Sequence, residues 1–318
     1  MDYREFVERV AQDLKETLPE EFSQVTVNTC QVQKLQDESY FGLAVKPEGK
    51  PISISMDLRV FHQQLENGLE YEQVLEMISD KAVEGMEDAP RVQAEDLLDY
   101  ENIKDKLMIQ VVAVKGNEEM LETIPHKEVE GMAVVYRVML ETEEDHSSSV
   151  LVTNNMLENM GVDKEELHKD AMESSEKNFP PTIRSLTEVL AEMMGVPEEA
   201  LPETQRPMYM ATCNNGMNGA SCMFYSDFMQ QVTEMMQNDF FILPSSVHEI
   251  LLLEDNGMYK VSELKAMVRE VNESEVQPKD RLSNDVFHYD HKRDLFEKAD
   301  DYMARMQEAK QKNRDEAR

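Results

Sequence analysis

Strand-like runs in this sequence come in neighbouring pairs with helical segments between the pairs, and this order constrains the fold more than any other feature. The runs are rich in β-branched or aromatic residues and are bounded by polar turns. They are "SQVTVNTCQVQ" with "YFGLAVK", "MYMATC" with "GASCMFY", and "DFFIL" with "VHEILLL". Adjacent strands can pair antiparallel through a short turn, whereas parallel strands need a long crossover. The sequence therefore predicts an α+β fold with mixed, largely antiparallel sheets and packed helices.

Two local patterns refine this prediction. "NNGMN", between "MYMATC" and "GASCMFY", contains an Asn-Gly step that favours a hairpin turn with positive φ. "LENG" at 65–68 and "LENMG" at 157–161 each follow a short helix and precede a longer one. Glycine ends a helix at such points because it adopts the left-handed conformation without a Cβ clash. The repeated pattern is consistent with two related subdomains.

Helical periodicity predicts which methionines and terminal residues face an interior. Met193, Met235 and Met267 fall at helix-core spacing, which favours gap-filling in the core. In "DLFEKADDYMARMQEAKQKNRDEAR", apolar residues recur at spacings of 4, 3, 4 and 3, which predicts a helix from about Asp294 to Lys310 with a charged tail. The stripe consists of Leu295, Ala299, Tyr302, Met306 and Ala309.

A polar, acidic stretch without clear periodicity, "KGNEEMLETIPHKEVEG", divides the chain. We therefore expect an N-terminal α+β subdomain over 1–115 and a polar linker or loop over 116–130. A second α+β subdomain over 131–291 contains the "PSSVHE" strand. Residues 292–318 are expected to form a charged amphipathic C-terminal helix and tail.

The charge balance narrows the classes of partner. The 318 residues include 32 basic and 65 acidic ones, a net charge of −33. Such a surface repels phosphate backbones and anionic lipid headgroups, so neither direct nucleic-acid binding nor membrane binding is expected. A basic protein is the partner that this charge favours. Whether the chain forms homo-oligomers is left open.

Several features favour a cytoplasmic location. The acidic, amphipathic start "MDYREFVERVAQDL" lacks the basic region and apolar core of a secretory signal. No window approaches the 18 apolar residues of a membrane-spanning helix. The three cysteines are sparse and odd in number, which predicts free thiols in a reducing compartment.

The segment "ILPSSVHEILLL" contains the most suggestive polar residues. Ser246, His248 and Glu249 are candidate catalytic residues. If a strand begins at 247, Ser246 and His248 project the same way about 6.6 Å apart, and Glu249 points to the opposite face. That separation is too large for a direct hydrogen bond, and no G-x-S-x-G elbow occurs. We therefore favour a structural role for these residues, as a turn at Pro244 followed by a buried strand.

Other groups of chemically active residues give weaker evidence for a functional site. A zinc site would need Cys213 and Cys222, spaced as C-x8-C, to converge with His288 and His291. The usual short chelate spacing is missing, so we expect no metal. Phosphate-binding glycine signatures are also absent, and no cofactor is expected.

Four segments carry a resemblance to a known family. They are "GMAVVYRVMLE", "SSVLVTNNMLENMGVDKEELHKDAM…FPPTI", "ILPSSVHEILLL" and "MVREVNESEVQPKDRLSNDVFHYD". Together they resemble an uncharacterised bacterial family with a domain-of-unknown-function label, mostly from anaerobic Firmicutes and distantly similar to YtpQ-like proteins.

The resemblance implies a bacterial, cytoplasmic protein and carries no activity or cofactor. It makes the polar residues of the matching segments the ones to test. They are Pro244, Ser245, Ser246, His248, Glu249, Asn272, Ser283 and Tyr289, with Asn272 and Tyr289 as candidate ligand-binding residues.

Two functions follow as hypotheses. The first is a non-enzymatic protein-interaction protein with an acidic surface, since no catalytic set is assembled in the sequence. The second is a hydrolase or small-ligand binder that gathers Ser246, His248 and Glu249 with Asn272 and Tyr289. Whether the protein is an enzyme is left open between them.

Overall fold

The computed structural model describes the chain except for residues 23, 37–38, 50–52, 89–93, 143–146, 203–206, 214–215 and 317–318. The chain divides into two compact units. Unit 1 comprises residues 1–103 and 139–149, and unit 2 comprises 104–138 and 150–318. The boundaries expected from the sequence stay a prediction.

Unit 1 packs helices against a small sheet. Its elements over 1–103 are α1 (Tyr3–Thr17), β1 (Val25–Val32), β2 (Tyr40–Pro47), β3 (Ile54–Met56), α2 (Arg59–Glu66), α3 (Tyr71–Glu87), α4 (Ala94–Leu98) and α5 (Tyr100–Ile103). The order β1-β2-β3 is antiparallel throughout, as the first pair of strand-like runs predicts. The buried stripe Phe6, Val10 and Leu14 of α1 packs in one core with Val74 and Ile78 of α3.

The following elements run to the C-terminus. They are β4 (Leu107–Ala113), α6 (Glu118–Leu121), β5 (His126–Val129), β6 (Met132–Thr142), β7 (Ser147–Leu151), α7 (Asn154–Met160), α8 (Lys164–Asn178), β8 (Thr182–Ser185), α9 (Leu186–Met194), β9 (Met208–Thr212), α10 (Ser226–Met236), β10 (Phe240–Leu243), β11 (Ile250–Glu254), α11 (Val261–Ser274), β12 (Phe287–Asp290), β13 (Leu295–Lys298) and α12 (Ala299–Glu316).

Two sheets organise these elements. A four-stranded sheet has the order β4-β6-β5, with β7 also pairing with β6. A six-stranded sheet in unit 2 has the order β13-β12-β10-β11-β9-β8, with every neighbouring pair antiparallel. The α+β fold with antiparallel sheets and a C-terminal helix is therefore confirmed.

The six-stranded sheet has a covered apolar face. Phe241 of β10 and Leu253 of β11 are buried in one core with Leu264 and Val268 of α11 and Ala299 of α12. The sheet's two edge strands, β13 and β8, each lead directly into a helix, α12 and α9 respectively. These two helices therefore start from opposite edges of the same sheet.

Two segments that connect strands differ from their predicted structure. The predicted hairpin partner "GASCMFY" is mostly a 3₁₀ helix, Gly219–Phe224, and the Asn214–Asn215 part of the turn lies outside the described residues. Its small residues Gly219, Ala220 and Ser221 are buried and suit a close-packed helical turn. The expected linker 116–130 contains α6 and β5, and β5 pairs with β6 despite its polar sequence.

The C-terminal segment also differs from its prediction. The helix predicted from about Asp294 instead begins at Ala299, because Leu295–Lys298 forms the edge strand β13. The helix continues to Glu316, beyond the predicted end at Lys310. Four residues are too few for strand periodicity to stand out against the helical stripe that follows them.

The helix–glycine–helix pattern occurs twice, as its sequence indicates. Gly68, with φ of 102°, lies between α2 and α3, and Gly161, with φ of 69°, lies between α7 and α8. Asp163 caps α8 by accepting a hydrogen bond from the Glu166 backbone N–H at 2.8 Å. A common origin of the two halves stays a prediction.

Candidate functional site

Residues 244–248 of the "PSSVHE" segment pair with the loop 280–283 through backbone hydrogen bonds before the chain enters the sheet. We call these two paired segments the bracket. The backbone N–H groups of Leu282 and Ser283 donate to the carbonyls of Ser245 and Pro244 at 3.0 and 3.1 Å. Val247 N–H donates to the Asp280 carbonyl at 2.8 Å. The strand predicted from 247 therefore starts only at Ile250, because the preceding backbone groups pair with this loop instead of the sheet.

Ser246 has a structural contact in this bracket. Its side chain is buried, and its hydroxyl oxygen accepts the His248 backbone N–H at 3.0 Å. Serine hydroxyls commonly satisfy a backbone donor two residues on in a bend. The described contacts of Ser246 do not include the His248 imidazole, so no Ser–His pair is formed.

The His248 imidazole joins two loops. Its Nε2 lies 3.3 Å from Asp280 Oδ1, and its Nδ1 lies 3.0 Å from the Gly216 carbonyl oxygen. When Nδ1 carries the proton it donates to Gly216, and the Asn218 backbone N–H at 3.4 Å is then only a neighbour. Both ring nitrogens therefore lie beside partners, and the catalytic role considered for His248 stays a prediction.

The loop beneath His248 is closely packed. Thr212 Oγ1 donates to the His248 carbonyl at 2.7 Å. A Cβ at Gly219 would lie 2.0 Å from Thr212 Oγ1 and 2.4 Å from that carbonyl oxygen, so only glycine fits at this position. Close packing therefore accounts for the second glycine of "NNGMNG", which lies outside the predicted turn.

Hydrogen bonds extend from this loop to the four-stranded sheet. Asn218 Oδ1 accepts from Gln110 Nε2 at 3.1 Å, and Gln110 Oε1 accepts from Arg137 Nη1 at 3.3 Å. Burial of the guanidinium lowers the pKa of Arg137. Neither Gln110 nor Arg137 was predicted from the sequence, because single polar residues in apolar strands carry no motif.

The remaining candidates divide between the bracket and other places. Asn272 is buried on α11, and its amide donates to the Ser283 carbonyl at 2.9 Å and to Asn284 Oδ1 at 2.7 Å. Asn272 thus supports the same loop that holds Ser245 and Ser246. Tyr289 instead donates its hydroxyl to Asp294 at 2.5 Å, and Glu249 is half-buried just before β11.

The residues considered for zinc do not come together: the two buried thiols lie near each other, while each histidine lies beside a different aspartate. Cys213 Sγ lies 3.5 Å from the Gly219 carbonyl, and burial raises the pKa values of the Cys213 and Cys222 thiols. His288 is fully buried with Nε2 3.3 Å from Asp255, whereas His291 Nδ1 lies 2.6 Å from Asp239. Among the described residues, no three histidine, cysteine or acidic side chains are grouped to hold a metal.

A second candidate surface lies on α9. Ala191 is the one described α9 residue that is buried, while Leu190, Met193 and Met194 are 43%, 79% and 64% exposed. The core position predicted for Met193 is wrong, because helical spacing shows that apolar residues share a face but not that anything covers it. Met235 and Met267 are also exposed, at 42% and 37%.

Acidic residues lie on the face of α9 opposite these apolar side chains and in the turn that follows the helix. Glu188 accepts from Arg184 Nε at 2.9 Å, and Glu192 also pairs with Arg184, which lies on the edge strand β8. Glu198 and Glu199 are exposed in the turn after the helix. We call Leu190, Met193 and Met194, with the neighbouring Glu198 and Glu199 as an acidic rim, the α9 patch.

Comparison with known proteins identifies the family. The model of a family of unknown function, DUF5688, matches residues 3–291. The chain belongs to DUF5688. The expected membership in a family of unknown function is confirmed, while its taxonomic range and its similarity to YtpQ-like proteins stay predictions. No curated protein and no solved structure matches the chain.

The part that matches DUF5688 includes both the bracket around His248 and the α9 patch, whereas β13 and α12 follow it. In the described part of this DUF5688 protein, no helix combines the length and apolarity needed to cross a bilayer.

Proposed function

We propose that this protein acts by contact, and that the α9 patch binds a basic amphipathic helix of a protein partner. The observation that carries the proposal is the exposure of Leu190, Met193 and Met194 side by side on one short helix. Single exposed apolar residues are ordinary, but adjacent large ones ringed by polar residues are typical of interaction surfaces.

The chemistry of the rim indicates the kind of partner. Of the four glutamates in residues 186–199, Glu188 and Glu192 pair with Arg184, whereas Glu198 and Glu199 are exposed in the following turn of a chain with net charge −33. A partner helix with lysine or arginine flanking an apolar stripe would meet carboxylates at the rim and methionines at the centre. Methionine suits such docking because its unbranched, polarisable side chain adapts to the shape of the partner.

A defined probe tests this function. A fluorescent synthetic amphipathic helix of leucine and lysine is titrated with the protein, and binding is followed by anisotropy. Met193→Ser with Met194→Ser removes apolar surface without changing charge, and we expect binding to weaken about tenfold or more. Met235→Ser on α10 is the control, since it removes an exposed methionine elsewhere. Equal loss in both variants would refute the proposal.

The rim has its own test. Glu198→Gln with Glu199→Gln keeps the shape of the patch and removes two charges that lie outside the Arg184 ion pairs. We expect weaker probe binding at low salt and a smaller effect at high salt, because exposed charge pairs are screened. An unchanged affinity at low salt would show that the rim does not select a basic partner.

The hydrolase or ligand-binding hypothesis has less support. Ser246 is engaged with the backbone, and both His248 nitrogens face Gly216 and Asp280. A cytoplasmic, bacterial setting belongs to the proposal on composition and resemblance alone. Fractionation of the native host, with the protein followed by antibody, tests that location.

A further inference from the structure

The turn that follows β11 contains an exposed Asn-Gly step. Asn256 and Gly257 are both exposed, and Gly257 has a φ of 74°, in the left-handed region that favours glycine. In such a step the glycine nitrogen can approach the carbon of the preceding side-chain amide, because glycine has no Cβ to obstruct it. This approach is the first requirement for intramolecular deamidation.

Two hydrogen bonds within the turn favour attack on the amide. The Met258 backbone N–H donates to Asn256 Oδ1 at 3.1 Å. This bond polarises the amide carbonyl and would stabilise the negative charge that develops on Oδ1 during attack. The Gly257 N–H donates to Asp255 Oδ1 at 3.2 Å, so a carboxylate lies where the proton of the attacking nitrogen must leave.

Asp255 is ionised and held in place. Burial raises the pKa of its carboxyl group, but the nearby His288 and the hydrogen bonds from Tyr302 and Gly257 outweigh burial and hold the pKa below its ordinary value of 3.8. Its Oδ2 accepts the Tyr302 hydroxyl at 2.8 Å, while Oδ1 accepts the Gly257 N–H. At neutral pH this residue is therefore a carboxylate that can take up the proton.

A second exposed Asn-Gly step has different contacts. Asn67 and Gly68 follow α2, and the Gly68 N–H donates to the Leu65 carbonyl at 3.1 Å. The Asn67 N–H donates to the Gln63 carbonyl at 2.9 Å. A carbonyl oxygen does not take up the proton of an attacking nitrogen, and these bonds of the helix end must break before the nitrogen can move.

The remaining Asn-Gly steps are close together in the chain. Asn218 Oδ1 accepts from Gln110 Nε2 at 3.1 Å, and Gly219 is buried in a closely packed turn. Asn215, which precedes Gly216, lies outside the described residues. Of the steps that the structure describes in full, the one at 256–257 is thus both exposed and placed beside a carboxylate.

We propose that Asn256 is a self-modifying site, which converts to aspartate or isoaspartate through a succinimide formed with Gly257. The Gly257 nitrogen loses its proton and bonds to Asn256 Cγ. The Cγ–Nδ2 bond breaks, and Nδ2 leaves as ammonia with that proton. Water then opens the succinimide at one of its two carbonyl carbons. The sequence consumes one water molecule for each ammonia released and involves no oxidation or reduction.

The modification would act on the attachment of α12. Either product adds a negative charge beside Asp255, and isoaspartate also adds one carbon to the backbone between residues 256 and 257. Both changes affect the carboxylate that accepts the Tyr302 hydroxyl, and Tyr302 also stacks on the buried His288 ring at 3.5 Å between centroids. We therefore expect the modified protein to be less stable than the unmodified one.

Mass spectrometry of proteolytic peptides tests the modification. The full-length protein is kept at neutral pH, and replacement of the amide by a carboxyl group is followed at Asn256 and Asn67. The two steps are matched, because each asparagine follows an acidic residue and each glycine precedes a large apolar one. We expect Asn256 to convert several-fold faster than Asn67 in the folded protein, and the two to convert at similar rates in urea.

Two results would overturn the proposal. One is conversion of Asn67 as fast as that of Asn256 in the folded protein. The other is the same advantage of Asn256 in urea, which would show that the neighbouring sequence, and not the turn, sets the rate.

The role of the carboxylate has its own variant. Asp255→Asn removes the charge and keeps an oxygen for the Tyr302 hydroxyl, and we expect slower conversion of Asn256. Glu254→Gln is the control, since it removes the adjacent charge, whose carboxylate accepts from Asn238 instead. Unchanged conversion in Asp255→Asn would exclude this carboxylate as the proton acceptor. The comparison of Asn256 with Asn67 in the wild type decides the proposal even if this variant does not fold.

Melting temperatures test the effect on α12. Wild type and Asn256→Gln are aged in parallel, since glutamine would have to form a larger ring and converts more slowly. We expect the aged wild type to melt at a lower temperature than the fresh protein, and Asn256→Gln to change little. An equal decrease in both would show that other sites cause it, and the link between Asn256 and α12 would be wrong.

Discussion

Substitution of His248 tests how much the bracket contributes to stability. His248→Ala removes the contacts that its imidazole makes with Gly216 and Asp280, and we expect the free energy of unfolding to fall by about 1 kcal/mol, since the side chain is half-exposed. Urea denaturation measures the change. Glu249→Ala next to it is the control, with no comparable loss expected. A His248→Ala protein with unchanged stability and abolished binding of a small ligand would favour the alternative function.

His168 predicts a dependence of stability on pH. Its Nδ1 lies 3.0 Å from the buried Tyr136 hydroxyl, and its Nε2 lies 3.4 Å from Lys127 Nζ. Burial, followed by the charge of Lys127, lowers the pKa of His168 below its ordinary value of 6.5. The folded state therefore favours the neutral ring. This stability is complete above about pH 6.5 and is lost as the pH falls through the folded-state pKa.

The measurement compares unfolding free energies of the wild type and His168→Gln between neutral and mildly acidic pH. The glutamine side chain is neutral throughout, so the wild type should lose more stability than the variant on acidification. His126→Gln is a useful control, because that ring lies in the same region and is also half-buried. Parallel pH curves for wild type and His168→Gln would contradict the prediction.

At the scale of elements, the C-terminal segment separates into a part that belongs to the core and a part that does not. Removing 292–318 deletes β13 and α12, uncovers His288 and leaves Asp290 without Arg305. Removing only 306–318 leaves these contacts in place. We expect the longer deletion to lower the melting temperature strongly and the shorter one to leave it nearly unchanged. Equal melting temperatures for the two would show that the first turns of α12 contribute little.

The division follows from where the residues of the predicted apolar stripe lie in the structure. The stripe from Leu295 to Ala309 indicated a helix correctly, but Leu295 belongs to a strand and Tyr302 to the packed core. Sequence periodicity indicates which side chains share a face. It does not indicate where a chain stops pairing and starts to coil, because both states keep apolar residues inward over four residues.

Sequence patterns were also insufficient to predict the arrangement of the candidate site. The prediction separated Ser246, His248 and Glu249 by assuming a strand from 247, whereas these residues form a bend and the strand starts at Ile250. The pairing of 244–247 with 280–283 could not be inferred, since it joins distant segments through backbone groups that every residue carries. Asn272 was selected by resemblance, and its hydrogen bond to Ser283 gives the physical reason for its place in that segment.

At the scale of the whole molecule, the net charge of −33 should act on folding and association in opposite directions. Like charges repel one another within the folded chain, so added salt should raise the melting temperature by screening that repulsion. The proposed contact between the α9 patch and a basic partner helix joins opposite charges, so the same salt should weaken association with the leucine–lysine probe. At about 0.1 M salt the screening length is about 10 Å, so both effects should develop below that concentration. Melting curves and probe anisotropy on the same samples check the two trends. Binding that strengthens steadily with salt would indicate a contact made mainly by apolar surface, and the preference for a basic partner would then be wrong.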